Sequence, residues 1–217
     1  MEIKKIQNQK FKIQNYQLET KDAQLIRYLS EMKDVLYDQK WAKNAPDFQV
    51  YYVWRGLKPG QSPFRNLREE NDIRYDITII PAKMLGQEFP KTKGHRHLNH
   101  FQELIQVLEG RAFYFAQRGQ GKKIEDCYVI KAKKGNFVII PPNVDHLTIN
   151  PGGKKLVMAN WIFKKVKSDY SLFEKFQGAC YYYTKSGWIK NKNYDKIPNL
   201  RFEKPLKSKP KNLDFLK

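Results

Sequence analysis

From residue 50 onward the chain alternates apolar and polar positions in short runs, and each run stops at a turn signal. Successive side chains of a strand point to opposite faces, so such alternation marks a strand with one buried face. Ile73, Tyr75, Ile77 and Ile79 put one apolar face on a strand over residues 72–81. Further strands are expected at 50–57, 101–108, 112–117, 126–131, 136–140, 145–149 and 155–163. Lys58-Pro59-Gly60, Glu109-Gly110, Arg118-Gly119-Gln120-Gly121, Lys133-Lys134-Gly135 and Pro151-Gly152-Gly153 supply the turns between them. Short strands at a spacing of roughly ten residues argue for an antiparallel sandwich or barrel.

Upstream the pattern differs. Residues 1–19 are polar and lysine-rich with a short alternation through Ile3, Ile6, Phe11 and Ile13, which fits an edge strand or a loose arm. Leu25, Ile26, Leu29, Met32 and Leu36 then recur at helical spacing, Thr20 suits an N-cap and Asp22 a first turn. This predicts an N-terminal helix that ends between Trp41 and Pro46, since proline cannot continue the hydrogen-bond ladder. A second, short helix is expected over 170–176. The organisation expected is an N-terminal arm and helix at 1–48, a barrel at 49–183, and a basic extension at 184–217 that packs on the barrel or trails from it.

Composition narrows the partners. A chain of 217 residues suffices for one barrel with appendages and a proper core. Its formal charge of +19 is spread along the chain, and residues 184–217 carry ten Lys or Arg against Asp195, Glu203 and Asp214. With Pro198, Pro205 and Pro210 that stretch reads as an extended arm. No nucleic-acid-binding signature accompanies it, so nucleic acid is not the expected partner, whereas a positive field also attracts a small anionic substrate. Cys127 and Cys180 form no Cys-x-x-Cys pair, which leaves a disulfide open and excludes that redox motif. The N-terminus lacks the apolar core of a signal peptide and no apolar run reaches membrane-spanning length, so a soluble, cytoplasmic protein is expected.

All four histidines lie between positions 95 and 146. His95 and His97, two apart on a strand, face one side and can share an ion. Glu103 and His146, on later strands, complete a set of three imidazoles and a carboxylate, which suits Fe, Mn, Ni or Zn and leaves positions for substrate or water. His100 is the spare histidine, expected in a loop.

The segments Gly94-His95-Arg96-His97, Glu103, Gly110 and Gly135, Pro141, His146, Asn150 resemble the paired motifs of the cupin superfamily. Asn143 stands where that pattern has Gly, and Asn tolerates the left-handed turn next best. Arg74 to Thr78, Gly86 to His97 with its Lys-Thr-x-Gly-His-x-His run, Leu108-Glu109-Gly110, Gln117, Pro141-Pro142, His146 to Asn150, Met158 to Trp161, Asp169-Tyr170 and Gly178-Ala179 look like the cupin-type glucose-6-phosphate isomerases. This resemblance covers roughly residues 50–183.

It implies a mainly β, double-sheet jelly-roll barrel with the N-terminal helix and basic extension outside it. It implies a metal-dependent interconversion of glucose 6-phosphate and fructose 6-phosphate and a homodimer. His95, His97, Glu103 and His146 would hold one divalent ion, Fe2+ or Mn2+ foremost, with Zn2+ or Ni2+ also compatible. Thr78, Thr92 and Gly94 would hold the phosphate, and Tyr75 and Tyr170 would line the sugar pocket. Glu103 would be the ligand and, on an enediol route, the base. Many family members have a tyrosine where this chain has Ile105, and some have one where it has Trp161. A cupin Fe(II) oxygenase and a non-catalytic sugar-phosphate-binding cupin use the same ligand types.

Overall fold

The computed structural model describes residues 8–14, 16–57 and 72–216. Ile3, Ile6 and the turn Lys58-Pro59-Gly60 lie outside the described residues. In chain order the strands begin with a hairpin of β1 (Lys10–Ile13) and β2 (Tyr16–Glu19), followed by β3 (Leu25–Tyr28). After the helix α1 (Gln39–Asn44) come β4 (Gln49–Trp54), β5 (Ile73–Ile80), β6 (His95–His97), β7 (Glu103–Glu109) and β8 (Arg111–Gln120). They continue as β9 (Lys123–Lys133), β10 (Phe137–Ile140), β11 (Asp145–Ile149), β12 (Leu156–Phe163) and β13 (Ser168–Asp169). The helix α2 (Ser171–Lys175) precedes β14 (Tyr181–Thr184), β15 (Gly187–Lys190) and β16 (Arg201–Glu203).

Two six-stranded sheets face each other, ordered β10-β7-β12-β5-β4-β3 and β13-β6-β11-β8-β9-β16. All neighbours are antiparallel except β16, which runs parallel to β9. This is the mainly β, double-sheet jelly-roll that the alternation and the family resemblance imply. β5 is buried on both faces for a reason visible in its register. Ile73, Tyr75, Ile77 and Ile79 turn away from the barrel interior and pack with Trp54, Trp161, Leu104 and Val157. Ile13 and Leu18 of the N-terminal hairpin and Leu213 and Leu216 near the C-terminus join that outer layer. Burying a side chain of this size contributes roughly 1.5–3 kcal/mol, so the N-terminal hairpin and residues 213–216 are bound to the barrel by apolar surface. Beyond residue 184, β16 pairs with β9 and Leu213 and Leu216 pack on the outer layer.

The helix expected from Thr20 towards Trp41 is corrected. Leu25 and Ile26 sit in β3, opposite Val53 and Tyr52 of β4. Leu29, Met32, Val35 and Leu36 are fully buried, but on two 3₁₀ turns, Leu29–Glu31 and Lys33–Val35. An apolar spacing of three to four residues suits a chain of such turns as well as an α-helix. Pairing with β4 then satisfies the backbone of residues 25–28 and displaces the local preference. The helix present is α1, whose N-cap Asp38 accepts a hydrogen bond from the Trp41 amide at 3.0 Å. α2 falls within the expected 170–176.

Candidate metal centre and cavity

Strand β6 presents His95 and His97 to the space between the sheets, and His95 pairs directly with His146 of β11. At the next register pair the strands are also tied by Arg96 and Asp145, whose side chains form a bidentate bond at 3.1 and 2.6 Å. Glu103, the first residue of β7, comes from the opposite sheet. One ligand atom from each of the three imidazoles lies within 4.8 Å of the others, and His95 Nε2 and His97 Nε2 are 3.0 Å apart. Glu103 Oε2 lies 3.7 Å from His97 Nε2 and 3.5 Å from His146 Nε2. Metal–nitrogen bonds of about 2.1 Å place adjacent ligand nitrogens roughly 3 Å apart, so this spacing fits an ion.

The hydrogen bonding agrees. His146 Nδ1 lies 3.3 Å from the Val144 carbonyl, which leaves the lone pair of Nε2 facing the cavity. That buried Nε2 has no hydrogen-bond partner among the described residues, a costly arrangement unless something electrophilic completes it. Burial, then the adjoining His146 and His97 rings, holds the His95 pKa well below the ordinary histidine value. Burial followed by His146 brings His97 down to about 4. Both rings are therefore neutral near pH 7, the form that ligates. Burial alone would push the Glu103 carboxyl up, but His146, His97 and the Asn160 amide outweigh it and hold it low. Asn160 Nδ2 donates to Glu103 Oε1 and fixes the carboxylate.

The cluster sits in a cavity of about 490 Å3. Thr78, Thr92, Gly94 and Tyr170 line it with the three histidines and Glu103. Thr148 of β11 donates its amide to Thr92 Oγ1 at 3.0 Å, so the Thr92 hydroxyl keeps its hydrogen for a ligand. Gly94 has φ +82°, and a Cβ there would lie 2.4 Å from Phe173 Cε2 of α2, so glycine lets α2 close on this loop. Tyr170 follows from that closure, with its ring 5.6 Å from His95. Lys91 of the same loop is fully buried, bonding Glu88 and the Val35 carbonyl at 2.8 Å, which anchors the loop to the 3₁₀ turns.

Tyr75 is a correction. It lies on the outer face of β5, 5.0 Å from the ring of Trp161, its register partner, and does not line the cavity. Even positions of β5 face inward and odd ones outward, so Arg74, Asp76 and Thr78 are the cavity residues. Trp161 is turned out likewise, whereas Ile105 lines the cavity. Asn143 adopts φ +62°, as its place in the motif requires, and bonds His100 at 2.8 Å in an exposed loop. Asn160, Arg55, Arg74, Asp76 and Lys167 also line the cavity without having been singled out in the sequence. For Arg74 and Asp76 the strand parity of Thr78 was an available signal. Asn160 lies in the Met158 to Trp161 stretch of the resemblance, which gave it no role, and for Lys167 there was no signal.

Fold and site together define a double-sheet β-barrel with a metal-binding type of histidine cluster inside it. The chain belongs to the glucose-6-phosphate isomerase (GPI) family, whose model matches residues 26–199. It is 28% identical over 143 residues to the glucose-6-phosphate isomerase of Thermococcus litoralis, covering 61% of this chain and 65% of that protein. It is also 28% identical over 137 residues to that of Pyrococcus abyssi, covering 61% and 66%. The chain thus spans a little under two thirds of the length of the curated relatives it matches. Among solved structures, vicilin from hazelnut (Corylus avellana) aligns with a TM-score of 0.40 at 14% identity, over 55% of this chain and 31% of that one. Lactobacillus farciminis oxalate decarboxylase aligns at 0.39 and 18%, over 56% and 31%.

Proposed function

We propose that this protein is a metal-dependent aldose–ketose isomerase that interconverts glucose 6-phosphate and fructose 6-phosphate. The observation that carries the reading is one cavity holding both the His95, His97, His146 and Glu103 cluster and the hydroxyl and glycine set Thr78, Thr92 and Gly94. The names of the relatives support the substrate.

His95, His97, His146 and Glu103 would hold one divalent ion, Fe2+ or Mn2+ foremost. When bound, the ion supplies a Lewis acid that polarises the sugar carbonyl and steadies negative charge on its oxygen. Thr78 and Thr92 donate hydroxyl hydrogens to the phosphate, and the glycine at 94 lets a backbone N–H approach it. Tyr170 flanks the sugar. On an enediol route Glu103 would also take the C2 proton of glucose 6-phosphate and return it to C1, because it is the carboxylate in contact with the imidazoles. Asn160 keeps that carboxylate oriented. The same reading takes the protein as a cytoplasmic homodimer that binds no nucleic acid. No helix among the described residues is long and apolar enough to cross a membrane, and β3 is the last strand of its sheet among the described residues, the edge a second copy would extend.

The test is to strip the protein with chelator, reload it with Fe2+ or Mn2+, and follow conversion of fructose 6-phosphate in deuterated water. Metal-dependent turnover with deuterium entering at C2 of the glucose 6-phosphate formed is expected. Absence of turnover with every divalent metal, or substrate-dependent oxygen uptake, refutes the isomerase. Turnover without deuterium replaces the enediol by a hydride shift.

A further inference from the structure

A phosphate ester carries close to two negative charges, and Thr78, Thr92 and Gly94 offer it hydrogen bonds but no countercharge. Bringing a dianion into a partly closed cavity is costly unless cations meet it. Two guanidinium groups line the same wall as Thr78. Arg74, on β5, faces the cavity four residues before Thr78. Its Nε is bonded to both oxygens of Asp76 at 2.9 and 2.8 Å, which holds the head group along the strand at Asp76, the cavity-facing residue that precedes Thr78. This bond engages only Nε, so the paired terminal nitrogens keep their N–H groups. Arg55 stands just beyond β4, where Val53 pairs with Thr78. Its guanidinium forms no hydrogen bond or ion pair among the described residues, and its backbone is set from both sides. The Arg55 amide donates to Gln24 Oε1 at 2.6 Å, and the next amide, of Gly56, donates to Asp76 Oδ1 at 2.9 Å.

Asp76 therefore organises both arginines. It is 4% exposed and holds Arg74 directly and Arg55 through the turn at Gly56, whose φ is +65°. A buried carboxylate with two cationic neighbours on a cavity wall leaves that wall with net positive charge. Planar guanidinium forks match phosphate oxygens in a bidentate way that a point charge does not.

We propose that Arg55 and Arg74, set by Asp76, form a clamp that recognises the phosphate of the substrate beside Thr78. This rests on the sugar-phosphate reading above and names the residues that supply its charge selectivity. Asp76 is a positioning residue, since its oxygens are taken by Arg74 and Gly56.

The test uses the full chain with Arg55→Gln, Arg74→Gln and Asp76→Asn, and inorganic phosphate as the probe in calorimetric titrations. A charge-assisted bond is worth about 1.5–3 kcal/mol, so each arginine variant should weaken phosphate binding roughly 10- to 100-fold. KM for fructose 6-phosphate should rise by a similar factor and far more than kcat falls, with metal content retained. Asp76→Asn should weaken phosphate less than either arginine variant. Arg55 is exposed, so Arg55→Gln keeps the clamp testable if the buried changes disturb folding. Wild-type phosphate affinity in Arg55→Gln and Arg74→Gln, or no phosphate binding by the wild type, overturns the clamp. Phosphate binding lost in the variants while the wild type shows no turnover keeps the clamp and overturns the isomerase.

Discussion

His95 and His146 stand directly opposite each other across β6 and β11, with ring centroids 4.5 Å apart, although fifty positions of chain separate them. Their approach follows from strand register. Directly opposed residues in an antiparallel pair bring their Cβ atoms to roughly 5 Å, so the register alone delivers two imidazoles to one point. His97 joins them by strand parity and Glu103 by the packing of the second sheet.

Replacing His146 with Ala should remove the ion. A ligand present at about 100 times its Kd stabilises the folded state by roughly 2.7 kcal/mol. Added Mn2+ should therefore raise the melting temperature of the wild type and leave His146→Ala unmoved, with metal content by mass spectrometry falling to near zero. Metal retained in the variant places the ion elsewhere.

Asn160→Ala tests the support beneath Glu103. Loss of such an outer partner typically costs about 10- to 100-fold in metal affinity. A competition titration with a chelator reads that loss without relying on turnover, and unchanged affinity shows that Glu103 needs no orientation.

Gly94→Ala should destabilise the fold. The position combines φ +82° with a Cβ site 2.4 Å from Phe173. Left-handed backbone costs about 1–2 kcal/mol and overpacking about 1–3 kcal/mol, so a loss of roughly 2–5 kcal/mol in denaturant unfolding is expected. Adding Phe173→Leu should recover part of it, because the two residues share one contact.

Metal-free protein should lose stability on acidification. His97 titrates near 4 in the folded protein because of its burial, against an ordinary value of 6.5. Its folded pKa is depressed, so between those values the unfolded chain binds a proton that the native state refuses. The stability from neutral His97 is complete above pH 6.5 and is lost as pH falls towards 4, a change on the order of 3 kcal/mol. Urea midpoints across that range measure it, and His97→Gln should flatten the slope.

Tyr75→Phe and Tyr170→Phe separate the two tyrosines. Tyr170 lies beside His95 in the cavity, and Tyr75 packs outside it against Trp161. KM for fructose 6-phosphate should rise severalfold in the second variant and stay near wild type in the first. A raised KM in Tyr75→Phe contradicts the outward placement.

Strand content and the core of the site were legible along the chain because both follow from periods of two. The alternation placed Ile73, Tyr75, Ile77 and Ile79 on one face, and the spacing of His95 and His97 placed both rings on another. Residues 25–36 were not legible, because the apolar spacing of an α-helix is shared by 3₁₀ turns and only pairing with β4 decides between them. That decision also brings Arg27 of β3 to Tyr51 on the cavity wall, at 3.3 Å from its hydroxyl. Period alone says which residues share a face and never which face meets the cavity. Tyr75, Trp161, Arg74 and Asp76 were sorted only when both faces of β5 were covered. The sequence by itself determined the ligand types, the local alternation and the turns, all set by neighbours along the chain. The tertiary structure decided the meeting of His95 with His146, the seat of Glu103 under Asn160 and the placing of Arg55 and Arg74 in the cavity that Thr78 also lines. These depend on register and sheet packing between residues distant in sequence, where burial of apolar surface outweighs local preference.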